Sequence, residues 1–481
     1  MTDQDDPRPF PDPTTMPEVP PDTLGLEAEE MRRLGHKVVD MVVDRAMARG
    51  QEPAILTGEA ADLRARLGGP LPEAPGDPDA ALELMAEVAL AHQQHGDHPR
   101  YFARVPGPAA FAAILGEWMG TGFNTICASW GGASGPATVE LVALDWLSEM
   151  LGLPAGTEGV LLSGGSMGNL TGFAVARAEM GPGVAYLTDQ THASLPRNLR
   201  ALGFAGDEIA RLPADARWRM SPETLRAAVA RDRAAGRRPM LVVATAGATN
   251  TGAVDPLPEI AEICAAEGLW LHVDGAYGAP AAITDQGRAA LAGLERADSL
   301  ALDPHKWLFQ PYDLGVCLVT RPGALERSFA IHPEYLRDVR LDTGEVNFGD
   351  RSLELSRRSR ALKLWMSLRT YGAERFRQAV RDGIKCAETA EAMLRAAPET
   401  WEVVTPAQLG IVCFAGRGAD AAAHEAAARA LAESGYACVT TTSLGGRSVL
   451  RLCTINPLTT EDDLRGTLDR LAAALAATPA G

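Results

Sequence analysis

Ser299-Leu300-Ala301-Leu302-Asp303-Pro304-His305-Lys306-Trp307 is a short apolar strand that ends abruptly in a polar, proline-kinked turn. The same grammar stands 30 residues earlier. Leu269-Trp270-Leu271-His272-Val273 runs into Asp274-Gly275-Ala276-Tyr277-Gly278. Further apolar runs occur at Val160–Leu162, Val184–Leu187, Leu241–Ala244 and Val316–Val319, with helical patterns between them. Strands that alternate with helices predict an α/β fold with a mostly parallel sheet, covered on both faces. Ligands of such sheets sit outside the strand ends, where the polar turns are.

Around this α/β block the pattern changes. Residues 1–25 are acidic and Pro-rich and read as a loose arm. Residues 26–98 carry helical periodicity, with Leu34, Val38, Met41 and Val42 on one face. The large domain is expected over 99–371. Residues 372–481 mix Ala-rich helices with strands such as Gly410–Phe414 and Ser448–Cys453, a smaller α+β domain. The net charge of −17 argues against nucleic acid or an anionic membrane as partner. No apolar stretch approaches the ~20 residues of a membrane span. The seven cysteines form no CxxC pair, so neither a metal knuckle nor a redox motif is suggested. Scattered thiols in apolar surroundings and the lack of a basic-then-apolar leader point to the cytoplasm.

Each strand end offers chemistry, and each also has a plainer explanation. Ser163-Gly164-Gly165-Ser166-Met167-Gly168 is a tight turn into a helix, whose unpaired N–H groups could bind a phosphate or simply close an ordinary βα connection. Its spacing is not GxGxxG, which disfavours a dinucleotide. His192 follows a strand and could stack on an aromatic cofactor and shuttle a proton, or cap a helix. Thr249 lies in a hydroxyl-rich loop, able to bond a cofactor or substrate oxygen, or to cap the next helix. Asp274 could hold a proton on a pyridine nitrogen; without clustered His or carboxylates, a metal is disfavoured. Lys306 offers an amine to an aldehyde, and the apolar and aromatic residues about it make a plain surface lysine less fitting. One cofactor, pyridoxal 5'-phosphate (PLP), explains the whole order.

In these residues the chain resembles the group II PLP-dependent decarboxylases, the family of aromatic-L-amino-acid decarboxylase. The resemblance runs from about residue 26 to the C-terminus. It is carried by His272–Gly278 and Asp303–Trp307, with Glu30–Asp44, Pro99–Phe102 and Ser443–Arg447 in support. It implies PLP fold type I and a homodimer with active sites at the subunit interface. By this resemblance Lys306 is the cofactor-binding lysine and Asp274 the partner of the pyridine nitrogen. Ala276 and His192 pack on the two ring faces, and Thr249 lies near cofactor and substrate carboxylate. Gly165 and Ser166 belong to the phosphate loop, and His305 joins the cofactor contacts. Tyr335, in Ile331-His332-Pro333-Glu334-Tyr335-Leu336, matches a tyrosine that returns the proton to the substrate carbon. Relatives with phenylalanine there tend to make aldehydes.

Three departures stand out. Met167-Gly168 replaces an acidic and a small residue. Asp303 replaces an asparagine that helps hold the phosphate, so that role is not carried over. Arg104 and Val105 replace aromatic residues of the substrate segment, in which Phe102 and Arg104 are candidate substrate contacts. The expected activity is decarboxylation of an L-amino acid, aromatic by overall similarity, to an amine. The alternatives are an oxidative aldehyde synthase on the same fold, or a decarboxylase of a non-aromatic or acidic amino acid. An aminotransferase or carbon–sulfur lyase would leave Tyr335 and the helical N-terminal segment unexplained.

Overall fold

The computed structural model describes residues 24–105, 107–331 and 344–477, in two compact units. The first unit takes residues 24–51 and 57–93. It contains the helices Ala28–Met47, Ala60–Leu67 and Pro78–Leu84, the last continuing into a π-helical turn, Met85–Leu90. Asp77 caps the third helix by accepting from the Asp79 N–H, and Pro78 takes a first-turn position where a missing N–H is tolerated. Arg33 and Lys37, one turn apart, both hold Asp79, at 2.5 and 2.6 Å.

The second unit, residues 52–56 and 94–477, is built on a seven-stranded sheet. Its strands are β1 (Glu158–Leu162), β2 (Val184–Thr188), β3 (Ile209–Leu212), β4 (Pro239–Thr245), β5 (Trp270–Asp274), β6 (Ser299–Leu302) and β7 (Gly315–Val319). They lie in the order β1-β7-β6-β5-β4-β2-β3. All neighbours are parallel except β7, which is antiparallel to both β1 and β6. Two reversals restore direction, so β1 and β6 end at the same edge. Every residue of β2, β4, β5, β6 and β7 is buried, which is why these strands read as unbroken apolar runs. β3 is an edge strand with only Leu212 buried, so no apolar run announces it.

Glycines let the helix Gly165–Met180 settle onto this sheet. A Cβ on Gly168 would meet the Val316 carbonyl at 2.8 Å, and one on Gly172 the His272 ring at 2.5 Å. Beneath the site edge lies a fully buried ion pair. Arg357 Nη2 is 2.6 Å from Glu140 Oε1, and the guanidinium also donates to the carbonyls of Cys127 and Leu161.

The helix Ala361–Ala396 breaks at Gly372, where φ is 71°. It packs in the main core on both sides of the break, through Leu364, Leu368, Phe376, Val380 and Ile384, and only its C-terminal end reaches a separate core, through Ala390 and Leu394. That second core underlies an antiparallel sheet of β8 (Trp401–Gln408), β9 (Ile411–Gly416), β10 (Thr440–Leu444) and β11 (Arg447–Cys453), ordered β10-β11-β9-β8. Among the described residues no helix is long and apolar enough to cross a membrane.

Candidate active site

Parallel strands place their C-terminal ends together, and the predicted residues gather there. Asp274 is the last residue of β5, in register with Thr245 of β4 and Ala301 of β6. His192 follows β2, Thr249 follows β4, Lys306 follows β6, and Gly164–Ser166 follow β1.

Lys306 stands in the helical turn Pro304–Trp307. Trp307 lies flat on Tyr277, with centroids 5.4 Å apart, which anchors the turn in the core. The loop at Gly107 crosses so near that a Cβ there would strike the carbonyls of His305 and Lys306. Lys306 Nζ lies 2.9 Å from Asp303 Oδ2. Burial opposes the charge on this lysine, yet Asp303 and then Asp274 outweigh it and hold the ammonium above its ordinary range. Asp303 is therefore the ion partner of the lysine, a role its sequence position did not disclose. Its Oδ1 is buried with no hydrogen-bond partner among the described residues.

His305 is buried. Its Nδ1 accepts from the Leu314 N–H at 3.1 Å, so the neutral ring carries its proton on Nε2, 3.6 Å from Asp303 Oδ2. Burial pushes its pKa down. Tyr312, 62% exposed, tilts over that ring at 4.4 Å and enters the site unannounced by any motif.

Asp274 Oδ1 accepts from Asn169 Nδ2 at 3.3 Å and from the Ala276 N–H at 3.2 Å. Burial pushes the carboxyl up, while Lys306 and these N–H groups pull it back. His192 is exposed, and its Nδ1 accepts from Ser194, leaving the proton on Nε2. The helix Gly165–Met180 starts without a side-chain cap, and its first internal bond is Gly168 N–H to Gly164 O. The N–H groups of Gly165, Ser166 and Met167 therefore lack helical partners, as an anion cradle requires.

On the far side Arg451, itself buried, donates to the Thr249 carbonyl at 2.8 Å and the Arg104 carbonyl at 2.5 Å. It joins the two loops that frame the site, and only its position in a buried strand could have marked it. Arg104 is exposed with φ 53°. Phe102 lies apart: its ring is 1% exposed and packs with Trp401 and Phe414 in the C-terminal core. It is withdrawn from the substrate contacts, because its backbone pairs with Cys438 and Cys453 and carries the ring into that core. Tyr335 falls at 332–343, outside the described residues.

An amine with an acidic partner, a second carboxylate one strand away and an uncapped helix start define a site for an aldehyde cofactor bearing a ring nitrogen and a phosphate. These residues fit PLP. The family model for the pyridoxal-dependent decarboxylase conserved domain matches residues 63–417. An aromatic-L-amino-acid decarboxylase of Bacillus atrophaeus is 42% identical over 456 residues, covering 92% of this chain and 95% of that protein. The structure of Oryza sativa TDC with PLP and tryptamine aligns at TM-score 0.89 and 30% identity, over 94% of this chain and 98% of that one. A 4-hydroxyphenylacetaldehyde synthase of Rhodiola rosea aligns at TM-score 0.86 and 27% identity, over 94% and 98%. The chain belongs to the pyridoxal-dependent decarboxylase family, with PLP fold type I, and is a PLP-dependent amino-acid decarboxylase.

Proposed function

We propose that this chain decarboxylates an aromatic L-amino acid to its amine. The observation that carries the substrate class is the 42% identity to an aromatic-L-amino-acid decarboxylase over nearly the whole of both chains. Bound PLP supplies the sink for the electron pair left when the carboxylate departs. Lys306 supplies the amine that tethers the cofactor aldehyde, and Asp303 takes up and returns its proton at Nζ. Asp274 would partner the ring nitrogen and favour its protonated form by charge. Gly165 and Ser166 would present backbone N–H groups to the phosphate, and His192 and Ala276 would pack on the ring. His305 lines the cofactor side of the lysine turn. The Tyr335 phenol, with His192 beside it, would return a proton at the substrate Cα. Thr249 and Arg104, whose carbonyls Arg451 fixes, frame the substrate side.

A second reading is oxidative: the likeness to the Rhodiola rosea aldehyde synthase allows it. Tyr335 favours the amine. Mass spectrometry of the PLP-loaded protein, given mixed L-amino acids in air, separates the two. An amine formed as its parent is lost supports decarboxylation and names the substrate. Aldehyde with peroxide moves the chain to the oxidative branch. An amine from glutamate or aspartate alone would transfer the substrate role to the exposed Arg104.

We also infer a cytoplasmic homodimer. All seven cysteines are free thiols, which suits a reducing compartment. Phe123, Ile126, Leu353 and Leu355 are each more than half exposed, an apolar set that a second copy would cover. Light scattering on the eluting protein should give twice the chain mass.

A further inference from the structure

Asp274 is the last member of a buried hydrogen-bond chain that crosses three elements. Trp270 Nε1 donates to Ser299 Oγ at 2.8 Å. Ser299 Oγ and His272 Nδ1 are 2.7 Å apart, as are His272 Nε2 and Asn169 Oδ1. Asn169 Nδ2 then donates to Asp274 Oδ1. Trp270, Ser299 and His272 are wholly buried and Asn169 is 1% exposed, so water does not compete for these bonds.

The two ends set the direction. An indole N–H can only donate, and a carboxylate can only accept. Asn169 must therefore turn its NH2 to Asp274 and its oxygen to His272. His272 must carry its proton on Nε2, and Ser299 must give its own proton to Nδ1. Burial alone pushes the His272 pKa down to about 3, so the ring stays neutral. The ring is also held in place: Phe173 meets it edge-on at 4.9 Å, and Gly172 has no Cβ to displace it.

We propose that Trp270, Ser299, His272 and Asn169 form a one-way relay that occupies Asp274 Oδ1 with an N–H and so leaves Oδ2 for the cofactor's ring nitrogen. His272 and Asn169 are thus positioning residues. Every bond of the relay points its hydrogen toward the carboxylate, and bonds so aligned polarise one another. A histidine that merely filled space would need no such order. The inference rests on the assignment of Asp274 to the ring nitrogen.

The test compares His272→Gln, His272→Asn and His272→Leu in the PLP-loaded protein. Glutamine places an N–H near the Nε2 position, asparagine only near Nδ1, and leucine neither. PLP dissociation constants and the pH midpoint of the bound cofactor's visible band are read beside kcat. Glutamine should stay near wild type. Asparagine and leucine should each lose at least about tenfold in PLP affinity, the worth of one hydrogen bond to a charged group, and shift the midpoint. Asn169→Asp, equal in volume but with an oxygen facing Asp274, should behave like leucine and covers the case of a variant that does not fold. Equal behaviour of Gln and Leu, or wild-type PLP binding by Asn169→Asp, overturns the relay. Asp274→Asn separates the two claims. If it binds PLP weakly while the leucine and aspartate variants do not, the relay alone fails. If it is itself unaffected, the assignment of Asp274 fails and the relay with it.

Discussion

Lys306 Nζ and Asp303 Oδ2 lie 2.9 Å apart across one helical turn, and the ion pair joins the lysine proposed to bind the cofactor to a residue that departs from the family pattern. Asp303 also borders the phosphate cradle, since a Cβ on Gly165 would lie 2.9 Å from its Oδ2. Asp303→Asn should therefore act twice. Loss of the counter-charge lowers the Lys306 pKa, so more free amine is present at a given pH. Loss of the negative charge also removes repulsion of the phosphate. The pH midpoint of PLP capture, followed by visible absorbance after cofactor removal, should move to the acid side. A midpoint unchanged or moved to the alkaline side would show that Asp303 does not govern the lysine.

Lys306→Ala should abolish turnover and the borohydride-reducible link to PLP, while Asp274 and the helix start at Gly165 still hold the cofactor weakly. Equilibrium dialysis and product mass spectrometry measure the two separately. Full turnover in this variant would contradict the assignment of the lysine.

The Glu140–Arg357 pair is wholly buried, and each partner depends on the other for its charge. Arg357→Met leaves Glu140 uncompensated and should lower stability by about 3–5 kcal/mol. Arg357→Met combined with Glu140→Leu should recover much of that loss, since a well-packed apolar pair avoids the desolvation of two charges. Urea midpoints of the PLP-loaded variants give the comparison.

His272 also makes a pH prediction. Its folded pKa is near 3, below the ordinary value of 6.5, so the unfolded chain binds a proton that the folded one refuses. Stability from this group is complete above pH 6.5 and falls as pH drops toward 3, by about 1.4 kcal/mol per pH unit. His272→Gln has no such group. Between pH 7 and 5 the wild-type melting temperature should fall more steeply than that of His272→Gln, and parallel curves would refute the neutral buried ring.

Much of the site was legible because its parts are local. Gly165, Asp274 and Lys306 each follow an apolar strand, and parallel strands of one sheet end at one edge whatever their order. The strand order, the reversal of β7 and the edge strand β3 were not legible, because pairing between distant segments leaves no mark on either one. Two signals were available and went unread: a histidine within the apolar run Trp270–Val273, and an asparagine on the glycine face of the helix Gly165–Met180.

By itself, then, the sequence determined the α/β class and the standing of Lys306, Asp274 and the glycine turn at strand ends, since each follows from the residues beside it. Only the tertiary structure decided how those groups are tuned. It brought Asn169 against His272 across 103 residues, turned Phe102 into the C-terminal core, and joined the Thr249 and Arg104 loops through Arg451. The physical reason is burial: in a closed core each polar group must find a partner, and which partner is near depends on how distant segments pack.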